Sequence, residues 1–275
     1  MDTRFVSFIG AGNMARSLVG GLVADGFPPQ NICVSDPDLK QLEVLRDRFG
    51  VETMEDNKAC VEGADAVVLA VKPQVMRGVA EELAALLNGG KVLVLSIAAG
   101  IRERDLNRWL GGSAAVVRAM PNTPALVKTG ATGLYANTRV SEAQQSLAES
   151  LMRAVGITCW LEHEALMDAV TGVSGSGPAY FFLLMEALED AGVNLGLPRE
   201  SARLLTMETA LGAARMALES GDDPQTLRHR VTSPGGTTER AVATLEDGGL
   251  RDLFAKAVKA AASRADELGN ELGEQ

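Results

Sequence analysis

Residues 4–36 constrain the fold of this chain more than any other segment. A strand-like run at 5–9 leads straight into Gly10-Ala11-Gly12-Asn13-Met14-Ala15, and a helix-length stretch at 14–24 follows. The next β-branched run, 32–35, ends at Asp36. The pattern is G-x-G-x-x-A in a strand–turn–helix setting. Glycine at 10 permits a tight turn, glycine at 12 lets the main chain approach a pyrophosphate, and alanine at 15 lets the helix pack closely on the strand. The free N–H groups of the helix then face the phosphates. Glycine pairs also serve as ordinary turns, but the acidic end of the second strand supports a dinucleotide site, so the expected cofactor is NADP(H) or NAD(H).

Asp36 lies 24 residues past Gly12. An acid there can accept hydrogen bonds from the adenine ribose and repels a 2′-phosphate, which favours NAD. It can equally be a turn or cap residue before Pro37-Asp38. The neighbouring Ser35 offers a hydroxyl to a phosphate.

Further apolar runs at 66–71, 92–96 and 115–118 alternate with helical stretches at 39–49, 75–87 and 103–109. Strands apolar at nearly every position are those of a parallel sheet covered on both faces. Weaker strands at 133–135 and 158–161 flank a helix at 142–155. The βαβα order predicts an α/β, doubly wound Rossmann-type N-terminal domain. After Glu162 strand signals stop, and helices are expected at 164–171, 179–191, 199–219, 224–230, 237–246 and 250–268. The stretch Ala179-Tyr-Phe-Phe-Leu-Leu-Met-Glu-Ala-Leu is apolar almost all round, so it needs cover on more than one side. In so small a helical region, a second subunit supplies it. The expected organisation is a dinucleotide-binding domain at 1–162 and an all-α dimerisation and substrate domain at 163–275.

Composition removes several function classes. The net charge of −10 and 4% aromatic content argue against nucleic acid as a partner. No apolar run approaches the roughly 20 residues of a membrane helix. No basic, apolar and cleavage regions open the chain, so a cytoplasmic protein is expected. The cysteines, Cys33, Cys60 and Cys159, and the histidines, His163 and His229, are scattered, so neither a disulfide framework nor a metal site is expected.

Ligands of such sheets sit at the carboxyl ends of strands. That places Ala70-Val71-Lys72-Pro73 beside the cofactor, with Lys72 open between a base, a phosphate contact and a plain surface lysine. Ser96-Ile97-Ala98-Ala99-Gly100 ends the next strand with small residues, and Met120-Pro121-Asn122-Thr123-Pro124 forms a loop in which Asn122 and Thr123 offer hydrogen bonds. Two glycine-rich segments lie in the helical half: Gly172-Val-Ser-Gly-Ser-Gly-Pro178, with Pro178 suited to a first helical turn, and Ser233-Pro-Gly235-Gly236-Thr237-Thr238. Consecutive N–H groups before a helix can hold an anion, for which a carboxylate is a natural guest. Simple capping with turn glycines is the plainer alternative.

Taken together, FIGAGNMA at 8–15, AVKPQ at 70–74, SIAAGI at 96–101, RAMPNTPALVKTGATGLYA at 118–136, GVSGSGPAYFF at 172–182 and VTSPGGTTERA at 231–241 resemble pyrroline-5-carboxylate reductases, in family order and over nearly the whole chain. The resemblance implies NAD(P)H-dependent reduction of the C=N bond of 1-pyrroline-5-carboxylate to L-proline, the last step of proline synthesis. It also implies a homodimer exchanged through the helical domain, with rings of dimers in some members. It places Ile9, Gly10, Ala11, Gly12, Asn13 and Met14 on the pyrophosphate and Asn57 at the adenosine end. Ala70, Val71, Lys72, Pro73, Ile97, Ala98 and Ala99 line the cofactor. Val231, Ser233, Gly235, Gly236, Thr237 and Thr238 hold the small-molecule substrate by its carboxylate, and the Thr238 hydroxyl lies near the imine nitrogen as a relay or orienting group. Many members have a small hydroxyl residue where this chain has Asp36 and favour NADPH. Asp36 therefore implies weaker NADPH selectivity here.

A β-hydroxyacid dehydrogenase joins similar domains but relies on a lysine in its helical half, and no lysine lies between Lys128 and Lys256 here. A non-catalytic nucleotide sensor is free to lose the 233–238 segment, which is intact.

Overall fold

The computed structural model describes residues 4–274 and divides into two compact units. One runs to Ser176 and takes in the chain again from Lys259; the other is Gly177–Val258.

In chain order, the first unit contains β1 (Val6–Ile9), α1 (Asn13–Ala24), β2 (Ile32–Ser35), α2 (Leu39–Phe49), β3 (Glu52–Met54), α3 (Asn57–Val61), β4 (Ala66–Leu69) and α4 (Pro73–Leu87). There follow β5 (Leu93–Ser96), α5 (Glu103–Trp109), β6 (Ala115–Met120), β7 (Gly130–Ala136), α6 (Glu142–Arg153), β8 (Gly156–Trp160) and α7 (Leu166–Val170). The eight strands form one sheet in the order β3-β2-β1-β4-β5-β6-β7-β8. Every pair is parallel except β6–β7. The chain moves outward from β1 to β3 and then resumes at β4 on the other side of β1. That reversal is the switch point where such sheets bind ligands.

β1, β4 and β5 are buried along their whole length. One core, with Phe8, Leu18, Leu45, Val68 and Leu95, lies on one face of the sheet; a second, with Ile9, Leu69, Met76, Leu83 and Leu106, lies on the other. Local signals set the helix ends. Asp38 caps α2 by accepting from the Lys40 N–H, and Gly50 closes it in the left-handed conformation. Ser141 and Gln144 form a capping box on α6.

Two elements were not expected from the sequence. β3 has three residues, and α3 has five, too few for periodicity to register. The Asp56 carboxylate holds α3 by accepting from the Lys58 and Ala59 N–H groups, and Cys60 and Val61 are buried beneath it. β7 runs longer than the expected 133–135 and turns back against β6. Gly133 leaves room for α7 to pack on it: a Cβ there would meet Val170 at 2.8 Å.

Beyond α7 one turn of π-helix, Thr171–Gly175, closes the first unit's main run. The helical unit contains α8 (Gly177–Asn194), α9 (Arg199–Ser220), α10 (Pro224–Arg230), α11 (Thr237–Asp247) and the start of α12 (Leu250–Gly273). α12 continues past the expected 268 because its last turns pack in the first unit: Leu272 is buried, and Arg102 donates to Asp266 at 2.5 Å. Among the described residues, no helix is long and apolar enough to cross a membrane.

Candidate active site

The glycine-rich loop follows β1 at the switch point. Gly10 has φ +102°, and a Cβ there would lie 2.8 Å from the Ala70 carbonyl oxygen. Only glycine fits. Its N–H donates to the Ser35 carbonyl at 2.7 Å, and the Ala70 N–H donates to the Ile9 carbonyl at 2.8 Å. These bonds stitch together the carboxyl ends of β1, β2 and β4. Gly12 is different: it is the exposed N-cap of α1, no side chain caps that helix, and a Cβ on Gly12 would meet nothing within 4 Å. No packing inside this chain demands glycine at 12. The backbone at Gly12 is open to solvent, and the first N–H groups of α1 carry no side-chain cap.

Asp36 is committed to the main chain. Its Oδ2 accepts from the Ala11 N–H at 2.7 Å and its Oδ1 from the Asp38 N–H at 2.8 Å. Asp36 is thus a turn residue rather than the helix cap, which is Asp38, and it also braces the glycine-rich loop. Arg16 braces the next peptide of the loop, donating to the Ala11 carbonyl at 3.2 Å and to Gln41. Arg16 escaped the sequence reading because it falls just past the fingerprint. Ser35 is fully buried, and its hydroxyl donates to Asn57 Oδ1 at 2.7 Å; Asn57 Nδ2 in turn donates to Glu82 at 3.1 Å. So β2 and α3 bring these two expected cofactor residues together.

Ala70 and Val71 follow β4 directly. Lys72 is the exposed N-cap of α4, and Pro73 occupies that helix's first turn. Ile97 continues from β5, its N–H donating to the Leu69 carbonyl at 3.2 Å. Ala98 is buried and Ala99 exposed. Asn122 makes the hydrogen bonds its side chain offers: it is buried, its amide nitrogen donates to the Ser174 carbonyl at 3.0 Å, and its oxygen accepts from the Ala131 N–H at 2.9 Å. Its hydrogen bonds hold the π-turn and β7.

A part-buried ion pair also escaped the sequence reading. Arg118 Nη1 lies 2.5 Å from Glu164 Oε1, which also accepts from the Glu103 N–H at 2.6 Å. Beside them burial pushes the Asp168 carboxyl above its ordinary range, against the pull of Arg118.

In the helical unit, residues 233–238 form a turn closed by the Gly236 N–H on the Ser233 carbonyl at 3.0 Å. Gly235 has φ +72°, which glycine adopts freely. α11 starts at Thr237 with Gly236 as N-cap and no side-chain cap. Thus the hydroxyls of Ser233, Thr237 and Thr238 are not used to cap the helix. The Gly235 N–H instead donates to the Glu239 carboxylate at 2.7 Å. The loop already receives a carboxylate. Val231 is exposed.

A switch-point glycine loop on a Rossmann-type sheet, followed by a helical unit, defines an NAD(P)H-dependent oxidoreductase. Residues 5–100 match the family model for NADP oxidoreductases, coenzyme F420-dependent, and residues 164–268 match the one for pyrroline-5-carboxylate reductase dimerisation. The chain is 53% identical over 274 residues to pyrroline-5-carboxylate reductase from Pseudomonas aeruginosa, covering 100% of both chains. The solved structure of the Coxiella burnetii enzyme superposes with a TM-score of 0.95 at 51% identity, covering 97% of this chain and 99% of that one. The Plasmodium falciparum enzyme, solved with NADP bound, superposes with a TM-score of 0.85 at 29% identity, covering 98% and 99%. The chain belongs to the pyrroline-5-carboxylate reductase family. Its reaction is the NAD(P)H-dependent reduction of the cyclic imine 1-pyrroline-5-carboxylate to L-proline in proline biosynthesis.

Proposed function

We propose a division of labour for that reaction. Residues 1–162 serve as the dinucleotide domain. Ile9, Gly10, Ala11, Gly12, Asn13 and Met14 hold the pyrophosphate, and Asn57, positioned by the buried Ser35 hydroxyl, holds the adenosine end. Ala70, Val71, Lys72, Pro73, Ile97, Ala98 and Ala99 line the cofactor. Residues 163–275 serve as the substrate and dimerisation domain. There Ser233, Gly235, Gly236, Thr237 and Thr238 grip the imine's carboxylate through N–H and hydroxyl groups, with Val231 at the edge. The Gly235 N–H on the Glu239 carboxylate is the observation that carries the substrate reading, because it shows a carboxylate fitting this turn.

When bound, the nicotinamide supplies the hydride. What the chain must do is hold the imine carbon at near-attack distance and hydrogen-bond its nitrogen, since hydride adds far more readily to an activated C=N bond. Thr238 orients or relays at that nitrogen; a hydroxyl is too weak an acid to act alone. The carboxylate of Asp36 faces the ribose end as well as bracing the loop, so NADH and NADPH both serve. The working form is a homodimer through the helical domain, extending to a ring of dimers, in the cytoplasm.

The test is steady-state reduction of pyrroline-5-carboxylate by wild type, Thr238→Ala and Thr238→Ser. Alanine lowers kcat/KM on the order of a hundredfold, and serine restores most of it. Equal rates in all three would remove Thr238 from the mechanism.

A further inference from the structure

Cys33 and Cys60 sit one step along the same seam as the Ser35–Asn57 hydrogen bond. Cys33 is two residues before Ser35 on β2, hence on the same face of the strand. Cys60 is three residues after Asn57 on α3, hence on the same face of the helix. The 2.7 Å bond between Ser35 and Asn57 fixes the two elements side by side, so the sulfurs occupy the next rung. Ser7 pairs with Cys33 across β1 and β2, and its hydroxyl donates to the Cys60 carbonyl at 2.5 Å, which seats the two cysteines side by side. Each thiol acts on the other: Cys60 and burial push the Cys33 thiol up, while Cys33 brings the Cys60 thiol down against burial. Both line a cavity of about 160 Å³ with Ser7, Glu52 and Met54. Cys33 is half-buried, Cys60 is buried, and Cys159 lies exposed on β8 at the far edge of the sheet.

We infer that Cys33 and Cys60 are an oxidisable dithiol whose disulfide weakens cofactor binding at the Ser35–Asn57 end of the site. A peroxide is the oxidant. The Cys60 thiolate attacks a peroxide oxygen; an S–O bond forms, the O–O bond breaks and hydroxide leaves. The Cys33 sulfur then attacks the sulfenic sulfur. An S–S bond forms, the S–O bond breaks, and a second hydroxide leaves. The two thiol protons convert both hydroxides to water. The sulfurs lose two electrons and the peroxide gains them. A covalent S–S bond is far shorter than any hydrogen-bonded contact of sulfur. Forming it draws α3 towards β2, away from the spacing at which the Ser35 hydroxyl reaches Asn57. Ser35 and Asn57 then leave the geometry that serves the adenosine end. The effect on the cofactor rests on the assignment proposed above; the thiol chemistry does not.

The test uses the full chain carrying Cys159→Ser, treated with hydrogen peroxide, then with dithiothreitol. Peptide mass mapping reads the linkage, and fluorescence titration reads the Kd for NADPH. The expected result is a 33–60 linkage and a Kd raised at least about fivefold, both reversed by dithiothreitol and both absent in Cys33→Ser. Unlinked thiols after peroxide would overturn the dithiol. Linkage with an unchanged Kd would overturn its coupling to the cofactor. Asn57→Ala in the reduced enzyme tests the assignment separately: an unchanged Kd there discards Asn57 as a contact, while a linkage in the parent still upholds the dithiol.

Discussion

The sheet unit and the helical unit are equally well-formed as secondary structure and opposite in burial. In the first, Phe8, Leu69, Leu93 and Leu95 are wholly enclosed by their own chain. In the second, only Gly177 and Ala202 are buried among residues 177–258, while Phe181, Phe182, Leu183, Leu204 and Leu253 are each about 60% exposed or more. An apolar groove lined by Tyr180, Leu183, Leu184, Leu253 and Phe254 runs between α8 and the first turns of α12. A soluble monomer rarely leaves so much apolar surface open. The sheet unit finds its core in its own sequence. The helical unit carries a core's composition without an enclosed core, which fits its match to a dimerisation domain.

The largest test of that contrast is Leu183→Asp. In an isolated chain the side chain is in water and the change is nearly free. Buried under a partner copy, an uncompensated charge costs about 3–5 kcal/mol. The subunit dissociation constant should therefore rise by a hundredfold or more, read by sedimentation. Leu95→Ala is the counterpart in the sheet unit. It should lower unfolding stability by about 2–5 kcal/mol, as measured by denaturant melts, and by the same amount at every protein concentration.

Asp36→Ser acts on the cofactor site alone. Removing a negative charge that repels a 2′-phosphate should raise the NADPH-to-NADH ratio of kcat/KM severalfold. Losing the brace on Ala11 should raise KM for both. A strong NADPH preference in wild type, unmoved by the substitution, would contradict this role.

The smallest effect is a pH dependence at Asp168, which faces Arg118, Arg102, Glu164 and Asp266. Burial holds its carboxyl above the ordinary range, so the folded state favours the protonated form. That contribution is complete below the unfolded pKa of about 3.9 and is lost as pH rises through the folded value. Melting temperatures of Asp168→Asn relative to wild type should therefore increase from about pH 4 towards pH 7; a flat difference would deny the shift.

Legibility followed the same division. The run at 32–35 and the helices at 39–49, 103–109 and 224–230 were readable to the residue, because apolar periodicity and end signals agree there. β3 and α3 were not. They are too short to carry a period and are held by Asp56 and by neighbours distant in sequence. The glycine fingerprint was legible since a steric demand fixes residue type at Gly10. The partners of Asp36 and Asn122 were not, because a carboxylate or amide serves a ligand or the main chain with the same atoms. The apolar run of α8 was legible as a helix that needs cover from a second subunit, but which leucines of the helical unit stay exposed, such as Leu204 and Leu253, was not.

The most direct measurement is the molar mass of the wild-type chain by sedimentation, at the concentrations where its reductase activity is assayed. A dimer or a multiple of dimers, with activity falling as dilution dissociates it, is the predicted result. A folded monomer with undiminished activity would contradict it.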